Sequence, residues 1–260
     1  MNAKPKPLRA RVLKQRYRAE PALVQEASGI HVGISPDLTA AARRASALLK
    51  QRYDHWQARG RLRAWGAYKR EHFTIAVGGG NTIKAQYRAW LNHRHSDVDW
   101  LGHVRFFFLE DSTGEPGWES AEQSLVINFL TPLTRKLCRM RGRRAIARKL
   151  HLAANADLDS IIDAVVARLC NPINLAAAKQ ALDAGRPRRA LNLARAECDR
   201  YQQDICEKLG ATMSVHCIVS GIGKDGTLGA LAPYRPELAI TEPGALVLKQ
   251  ESGALRVALG

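Results

Sequence analysis

Residues 73–82 read Phe-Thr-Ile-Ala-Val-Gly-Gly-Gly-Asn-Thr, a short apolar run that ends in three glycines. The helix-like segment Lys84 to Leu91 follows at once. Glycine lets the backbone turn tightly and brings bare N–H groups close to a ligand. A helix start adds partial positive charge, so this corner suits a phosphate, with Thr82 as a hydroxyl donor. The alternative is a tight strand-to-helix turn that binds nothing.

Two further apolar segments end abruptly, one in a glycine loop and one in two acidic residues. Val215 to Val219 is mostly apolar and runs into a second glycine loop at residues 220–230. Val104 to Leu109 is apolar at most positions and stops at Glu110-Asp111. Ligands of open parallel sheets sit at the carboxyl ends of the strands, so we expect the three ends to meet at one pocket. Buried carboxylates are costly unless they have a partner or a role.

These three corners, in this order, resemble the 6-phosphogluconolactonase / glucosamine-6-phosphate isomerase (deaminase) family. The family's phosphate loop is matched by residues 78–83, and its acidic strand end by Glu110-Asp111. Its G-x-G-x-D-G-H loop is matched by Gly221 to Thr227. The resemblance covers roughly residues 30–130 and 190–250, and the last motif is the most specific.

The resemblance implies a phosphorylated sugar or sugar-like substrate, with no cofactor and no metal. It assigns phosphate or substrate contacts to Gly78, Gly79, Gly80, Asn81, Thr82, Gly223, Lys224 and Gly226. Glu110 or Asp111 is the best general base, because neighbouring carboxylates raise one another's pKa. Asp225 is the second candidate, and its alternative role is to cap its own turn. Thr227 would orient a water or a hydroxyl.

Departures from the family pattern indicate a divergent member. The family's loop histidine is replaced by Thr227, which cannot take up a proton near neutral pH. Ala232 replaces the glutamate that the isomerases carry before the loop's closing proline. The family's C-terminal helix and strand have no counterpart before Gly260. We therefore expect a trimmed fold, or a second copy or protein partner that covers the C-terminal edge of the sheet.

Composition indicates a protein with one large core. The chain has 260 residues, and 46% of them are hydrophobic. No apolar run approaches the roughly 20 residues that span a membrane, and the N-terminus lacks the apolar region of a secretory signal. The five cysteines form no C-x-x-C pair, and the only close histidine pair is His93-x-His95. These features favour the reducing cytoplasm and argue against a zinc site.

The formal net charge of +16 is uneven along the chain. Residues 4–18 and 135–149 are rich in lysine and arginine and contain no acid. Such runs bind nucleic acid or an acidic partner, or they are solvated faces of the protein. Apart from Tyr17, no aromatic residue interleaves with the two runs, so platforms for base stacking are not indicated. Nucleic acid is therefore not the favoured partner.

Strands that alternate with helices predict a Rossmann-like α/β fold, with a mostly parallel sheet and helices on both faces. We expect a basic, flexible N-terminal arm at residues 1–28. A single domain at 29–260 follows, with a helical insertion at about 131–190. Residues 112–122 are a candidate flap over the pocket. Residues 245–248 and 254–259 predict a closing hairpin.

Three functional hypotheses follow. We favour an enzyme that acts on a phosphosugar-like substrate by carboxylate acid–base chemistry, either as a lactonase-like hydrolase or as an isomerase. The second hypothesis is a non-catalytic sugar-phosphate sensor or regulatory subunit, suggested by the missing histidine. The third is a basic scaffold for nucleic acid or an acidic protein, whose affinity would fall steeply with salt.

Overall fold

A computed structural model of the chain describes residues 23–25, 31–33, 35–62, 72–92, 103–114, 120–209, 215–221, 244–249 and 252–259. Of the predicted N-terminal arm, only Leu23–Gln25 lies among them. Residues 222–243, which include most of the second glycine loop, lie outside the described residues.

The strands of the described residues are short. They are β1 (Leu23–Gln25), β2 (His31–Gly33), β3 (Phe73–Val77), β4 (Val104–Phe108), β5 (Glu110–Ser112), β6 (Cys170–Asn171), β7 (Cys217–Val219), β8 (Ala245–Lys249) and β9 (Leu255–Leu259).

Helices connect them. They are α1 (Leu38–Leu62), α2 (Asn81–Asn92), α3 (Ala121–Leu125), a π-helical segment (Val126–Leu130), α4 (Thr131–Arg141), α5 (Arg143–Lys149), α6 (Leu158–Leu169), α7 (Ala176–Asp183) and α8 (Pro187–Leu209). The helix predicted near residues 122–130 thus turns π-helical at Val126 and continues directly into α4.

The central sheet has four parallel strands in the order β6-β4-β3-β7. All five residues of β3 are buried, which is typical of a strand with parallel neighbours and both faces covered. Together with the surrounding helices, this sheet confirms the predicted Rossmann-like α/β class.

Aromatic side chains fill one face of this sheet. Phe106 of β4 lies 6.2 Å from Trp90 of α2 and 6.2 Å from Phe129 of the π-helical segment, ring centre to ring centre. Phe107 points to the opposite face because side chains alternate along a strand. It is equally buried, so both faces of β4 are covered.

The predicted C-terminal hairpin is confirmed, and its partner is a strand that the sequence did not predict. β8 and β9 pair antiparallel, and β9 also pairs with β5 in a sheet of order β5-β9-β8. β5 follows β4 after the single residue Leu109, whose carbonyl accepts a hydrogen bond from the Leu259 N–H at 2.9 Å. The C-terminal segment is therefore bound to the acidic strand end. A partner at this sheet edge stays a prediction.

Tyr201 of α8 completes the hydrogen bonding of β4 where β6 stops. The last β6 residue, Asn171, pairs with Phe107. One residue further on, the Tyr201 hydroxyl accepts a hydrogen bond from the Phe108 N–H at 2.8 Å and donates one to the Phe108 carbonyl at 3.0 Å. Since buried backbone groups need partners, this hydroxyl substitutes for the missing strand residue.

We expect Tyr201→Phe to lower the free energy of unfolding by about 1–3 kcal/mol, because it leaves a buried N–H and a buried C=O without partners. Urea unfolding measures the change. Tyr53→Phe is the matched control, since it removes the hydrogen bond that the Tyr53 hydroxyl accepts from the side chain of Gln57, one turn along the same helix. Equal losses in the two variants would contradict the role of Tyr201.

Candidate functional site

The three predicted strand ends lie side by side. Val77 at the end of β3 pairs with Phe108 on one side and with Val219 on the other. The pairing extends one residue further, since the Gly78 N–H donates to the Val219 carbonyl at 3.0 Å. The structure therefore brings residues 78–82, the start of β5 and the first residues of the second glycine loop to one edge of the sheet.

The two glycine corners are in direct contact. A Cβ atom at Gly78 would lie 2.7 Å from the Ser220 Oγ, and one at Gly221 would lie 3.1 Å from the Thr82 Cβ. Ser220 is held by a hydrogen bond from its hydroxyl to the Gly221 carbonyl at 3.1 Å. A side chain at either position would force its neighbour to shift, because the corners pack backbone against side chain.

The first corner ends in a helix start. Gly80 has a φ of 92°, in the left-handed region that favours glycine, and α2 begins at the next residue, Asn81. Asn81 and Thr82 are exposed. The first N–H groups of a helix have no partner within the helix and carry partial positive charge. The predicted helix from Lys84 thus begins three residues earlier, which moves these N–H groups to the strand end.

Glu110 is buried at this corner, with only 8% of its surface exposed. The Gly79 N–H lies close to its carboxylate and favours the ionised form. Its Oε2 atom lies 3.6 Å from Nη1 of Arg256 and accepts no hydrogen bond from any described residue. Burial raises the pKa of Glu110 above its ordinary value, while Arg256 and the Gly79 N–H act in the opposite direction. The group is thus poised to hold a proton at a higher pH than an exposed glutamate.

Asp111 faces away from Glu110, because consecutive residues of a strand point to opposite faces. Its backbone pairs with Val257, and its Oδ1 accepts from the Ser112 N–H at 2.7 Å. Its charge contributes to raising the pKa of Tyr201, after the larger effect of burial. The expectation that the two carboxylates raise one another's pKa is wrong for Glu110, since burial is the cause there.

Five of the predicted site residues, all in the second glycine loop, lie outside the described residues. They are Gly223, Lys224, Asp225, Gly226 and Thr227. Residues 115–119 of the predicted flap and the His93-x-His95 pair lie outside as well.

Sequence reasoning missed Arg256 and Ser220. Arg256 is nearly buried within β9, between apolar neighbours. An arginine in a short apolar strand indicates a buried ion pair, because a buried charge needs a partner of opposite sign. Its partner could not be named, since pairing with Glu110 depends on the antiparallel register of β9 with β5.

Two observations limit the kinds of site. Across the described residues, no three His, Cys, Asp or Glu side chains cluster closely enough to hold a metal ion. Likewise, none of the helices in the described part of the chain has the length and apolar character needed to cross a membrane.

The fold and the strand-end site define an α/β protein of the Rossmann-like class. No family model matches the chain, and no curated protein matches it in sequence. Among solved structures, its fold is similar to that of the crystal structure of devB protein, with 17% sequence identity and a TM-score of 0.50. The similarity covers 87% of this chain and 72% of that one. At this identity the similarity concerns the fold alone.

We expect Gly78→Ala to lower the free energy of unfolding by about 1–3 kcal/mol, because the added methyl group overlaps the Ser220 hydroxyl. In a Ser220→Ala background the cost should be smaller, as a double-mutant cycle by chemical denaturation would measure. Gly79→Ala is the control, since its methyl group would meet its nearest neighbour, Glu110 Oε1, at an ordinary 3.9 Å. Additive effects of Gly78→Ala and Ser220→Ala would show that the corners do not touch.

The raised pKa of Glu110 predicts a specific dependence of stability on pH. A raised folded-state pKa adds stability that is fully present below the unfolded-state pKa and is lost as the pH rises through the folded-state value. Between roughly pH 4.5 and 7, the free energy of unfolding should therefore fall more in the wild type than in Glu110→Gln.

Denaturant unfolding at several pH values measures how steeply the free energy of unfolding changes with pH. This slope does not depend on how much the substitution lowers stability at any one pH. Glu207→Gln, on the exposed face of α8, is the control and should keep the wild-type slope. Identical slopes in wild type and Glu110→Gln would refute the assignment.

Proposed function

We propose that the chain is a divergent phosphosugar-processing enzyme that binds a phosphorylated sugar-like substrate where β3, β4 and β7 end. The observation that carries the proposal is the buried Glu110, placed on the Gly79 N–H and beside Arg256 at the junction of the strand ends. The sequence resemblance supports it, and the fold similarity to the devB protein agrees with the α/β architecture that the resemblance implies.

The phosphate would bind at the first glycine corner. The left-handed Gly80 and the start of α2 present backbone N–H groups, and the exposed Asn81 and Thr82 add side-chain donors. Backbone donors at a helix start favour anions through both hydrogen bonds and the helix dipole. Gly78 shapes the corner, and Gly223, Lys224 and Gly226 would complete the grip from the second loop.

Glu110 would transfer the proton. In hydrolysis, it would take a proton from the water that attacks the lactone carbonyl and return it to the ring oxygen, which leaves as a hydroxyl. In isomerisation, it would take a proton from the carbon beside the carbonyl and return it to the carbonyl carbon, while the proton of the neighbouring hydroxyl moves to the carbonyl oxygen. A raised pKa suits either role, because a catalytic acid or base works best near the operating pH.

Arg256 would stabilise the ionised form of Glu110 that takes up the proton. Asp111 is the weaker candidate, since its side chain points to the other face of the strand. Asp225 and Thr227 would orient the water or the sugar hydroxyls from the second loop.

A second candidate is a non-catalytic sugar-phosphate sensor or regulatory subunit. One feature favours it: the Glu110 carboxylate lies close to the Gly79 N–H, so an arriving phosphate must compete with a negative charge for that donor. Thr227 in place of the family's histidine favours it as well. This candidate predicts binding without turnover.

A thermal-shift screen against phosphosugars, phosphosugar lactones and amino sugar phosphates tests binding. We expect at least one of them to raise Tm by about a few degrees, since a ligand of the folded state stabilises it. The matching sugars without phosphate are the control and should give no shift. Equal shifts with both sets, or none with either, would exclude both candidates.

Turnover of the stabilising compound separates the enzyme from the sensor. We expect Glu110→Gln to lower kcat by about 10²–10⁴-fold while the thermal shift is retained, because the loss of a general base affects the chemical step. Asp111→Asn is the matched control and should keep most of the activity. Binding with no product in the wild type would support the sensor. Full turnover in Glu110→Gln would exclude this role for Glu110.

A further inference from the structure

The basic run at residues 135–149 forms two amphipathic helices. Residues 131–149 contain eight basic and no acidic side chains, on α4 and α5. Their apolar side chains are buried, among them Leu133, Leu137 and Ile146. The helices are thus fixed to the core by their apolar faces and leave most of their arginines at the surface.

Three of these arginines line one open cavity of about 600 Å³. Arg135 and Arg139 lie one helical turn apart on α4, and Arg143 follows at the start of α5. Pro132, Cys138 and Leu158 complete the lining, which we call the arginine groove. None of these residues belongs to the strand-end site.

The positive charge of the groove is not neutralised by ion pairs. Among the described residues, no salt bridge involves Arg135, Arg139 or Arg143. Asp157 interacts electrostatically with Arg143 without forming a salt bridge, and its Oδ1 caps α6 by accepting from the Ser160 N–H at 2.7 Å. Three guanidinium groups around one cavity repel one another, and an anionic ligand removes that repulsion.

We propose that the arginine groove is a second binding site, specific for a chain of adjacent phosphate groups. Guanidinium groups bind phosphate oxygens through two parallel hydrogen bonds, which a planar fork of donors makes possible. Side chains one helical turn apart begin about 6 Å from each other, so two guanidinium groups can reach neighbouring phosphates of one chain. The cavity falls within the range of about 300–1,000 Å³ that small-molecule ligands occupy.

The lining favours a phosphate chain over a nucleic-acid strand. Among the described residues that line it there is no aromatic side chain, whereas single-stranded nucleic acids are held by stacking on aromatic rings as well as by charge. Inorganic polyphosphate and the triphosphate of a nucleotide share the required chemistry. Tripolyphosphate and ATP, used as separate probes, distinguish these two sources.

Isothermal titration of the full chain tests the proposal, with phosphate, pyrophosphate, tripolyphosphate and ATP as probes. We expect tripolyphosphate to bind at least about tenfold more tightly than phosphate, because each added charge-assisted hydrogen bond contributes. Equal affinity for tripolyphosphate and ATP identifies the phosphate chain alone as the ligand. Tighter binding of ATP identifies a nucleotide.

The double variant Arg135→Gln/Arg139→Gln should weaken tripolyphosphate binding by about tenfold or more. Arg188→Gln/Arg189→Gln is the matched control, since it removes the same charge from another exposed basic patch, in the first turn of α8. We expect the control to change affinity by less than about twofold at physiological salt. Equal losses in both double variants, or tighter binding of a single-stranded oligonucleotide at the groove, would overturn the proposal.

Cys138 gives a second readout that needs no substitution. Because its thiol belongs to the lining, bound tripolyphosphate should slow its alkylation by maleimide, followed by peptide mass spectrometry. Cys206, which is also partly exposed but lies on α8, is the internal control. Protection of Cys138 alone supports the site. Equal rates at Cys138 with and without tripolyphosphate would contradict it.

Discussion

The parallel pairing of β3 with β4 and β7 is the constraint on which the rest of this structure depends. Because Val77 pairs with both Phe108 and Val219, the three strands β3, β4 and β7 end at the same level of the sheet. The residues that follow must then pack together, and this is why a side chain at Gly78 or Gly221 would meet Ser220 or Thr82 at close range. A large side chain at Gly78 or Gly221 would push the two corners apart.

The second sheet begins at the same edge and supplies both charged side chains of the site. Glu110 is the first residue of β5, and its partner Arg256 comes from β9, near the end of the chain. The β5-β9 ladder therefore places a positive charge beside a carboxylate that would otherwise be buried alone. Burial raises the pKa of Glu110, while Arg256 and the Gly79 N–H limit that rise. The carboxyl group can therefore still ionise.

The two anion sites that we propose differ in their donors. At the strand ends, the donors are backbone N–H groups, whose position is fixed by the fold and which carry no net charge. In the arginine groove, the donors are guanidinium groups on two helices, which carry full charges and are exposed to salt screening. Part of the net charge of +16 is therefore concentrated beside a cavity rather than spread over the surface.

The sequence by itself determined the strands that end in glycine or in acid, the fold class and the C-terminal hairpin, because period and turn chemistry are local properties of the chain. The position of the acidic pair was predicted, but which carboxylate faces the corner was not. That choice, the partnership with Arg256 and the bond from Tyr201 to Phe108 were decided only by tertiary structure. Each depends on the register between segments far apart in sequence, where a shift of one residue turns every side chain to the opposite face.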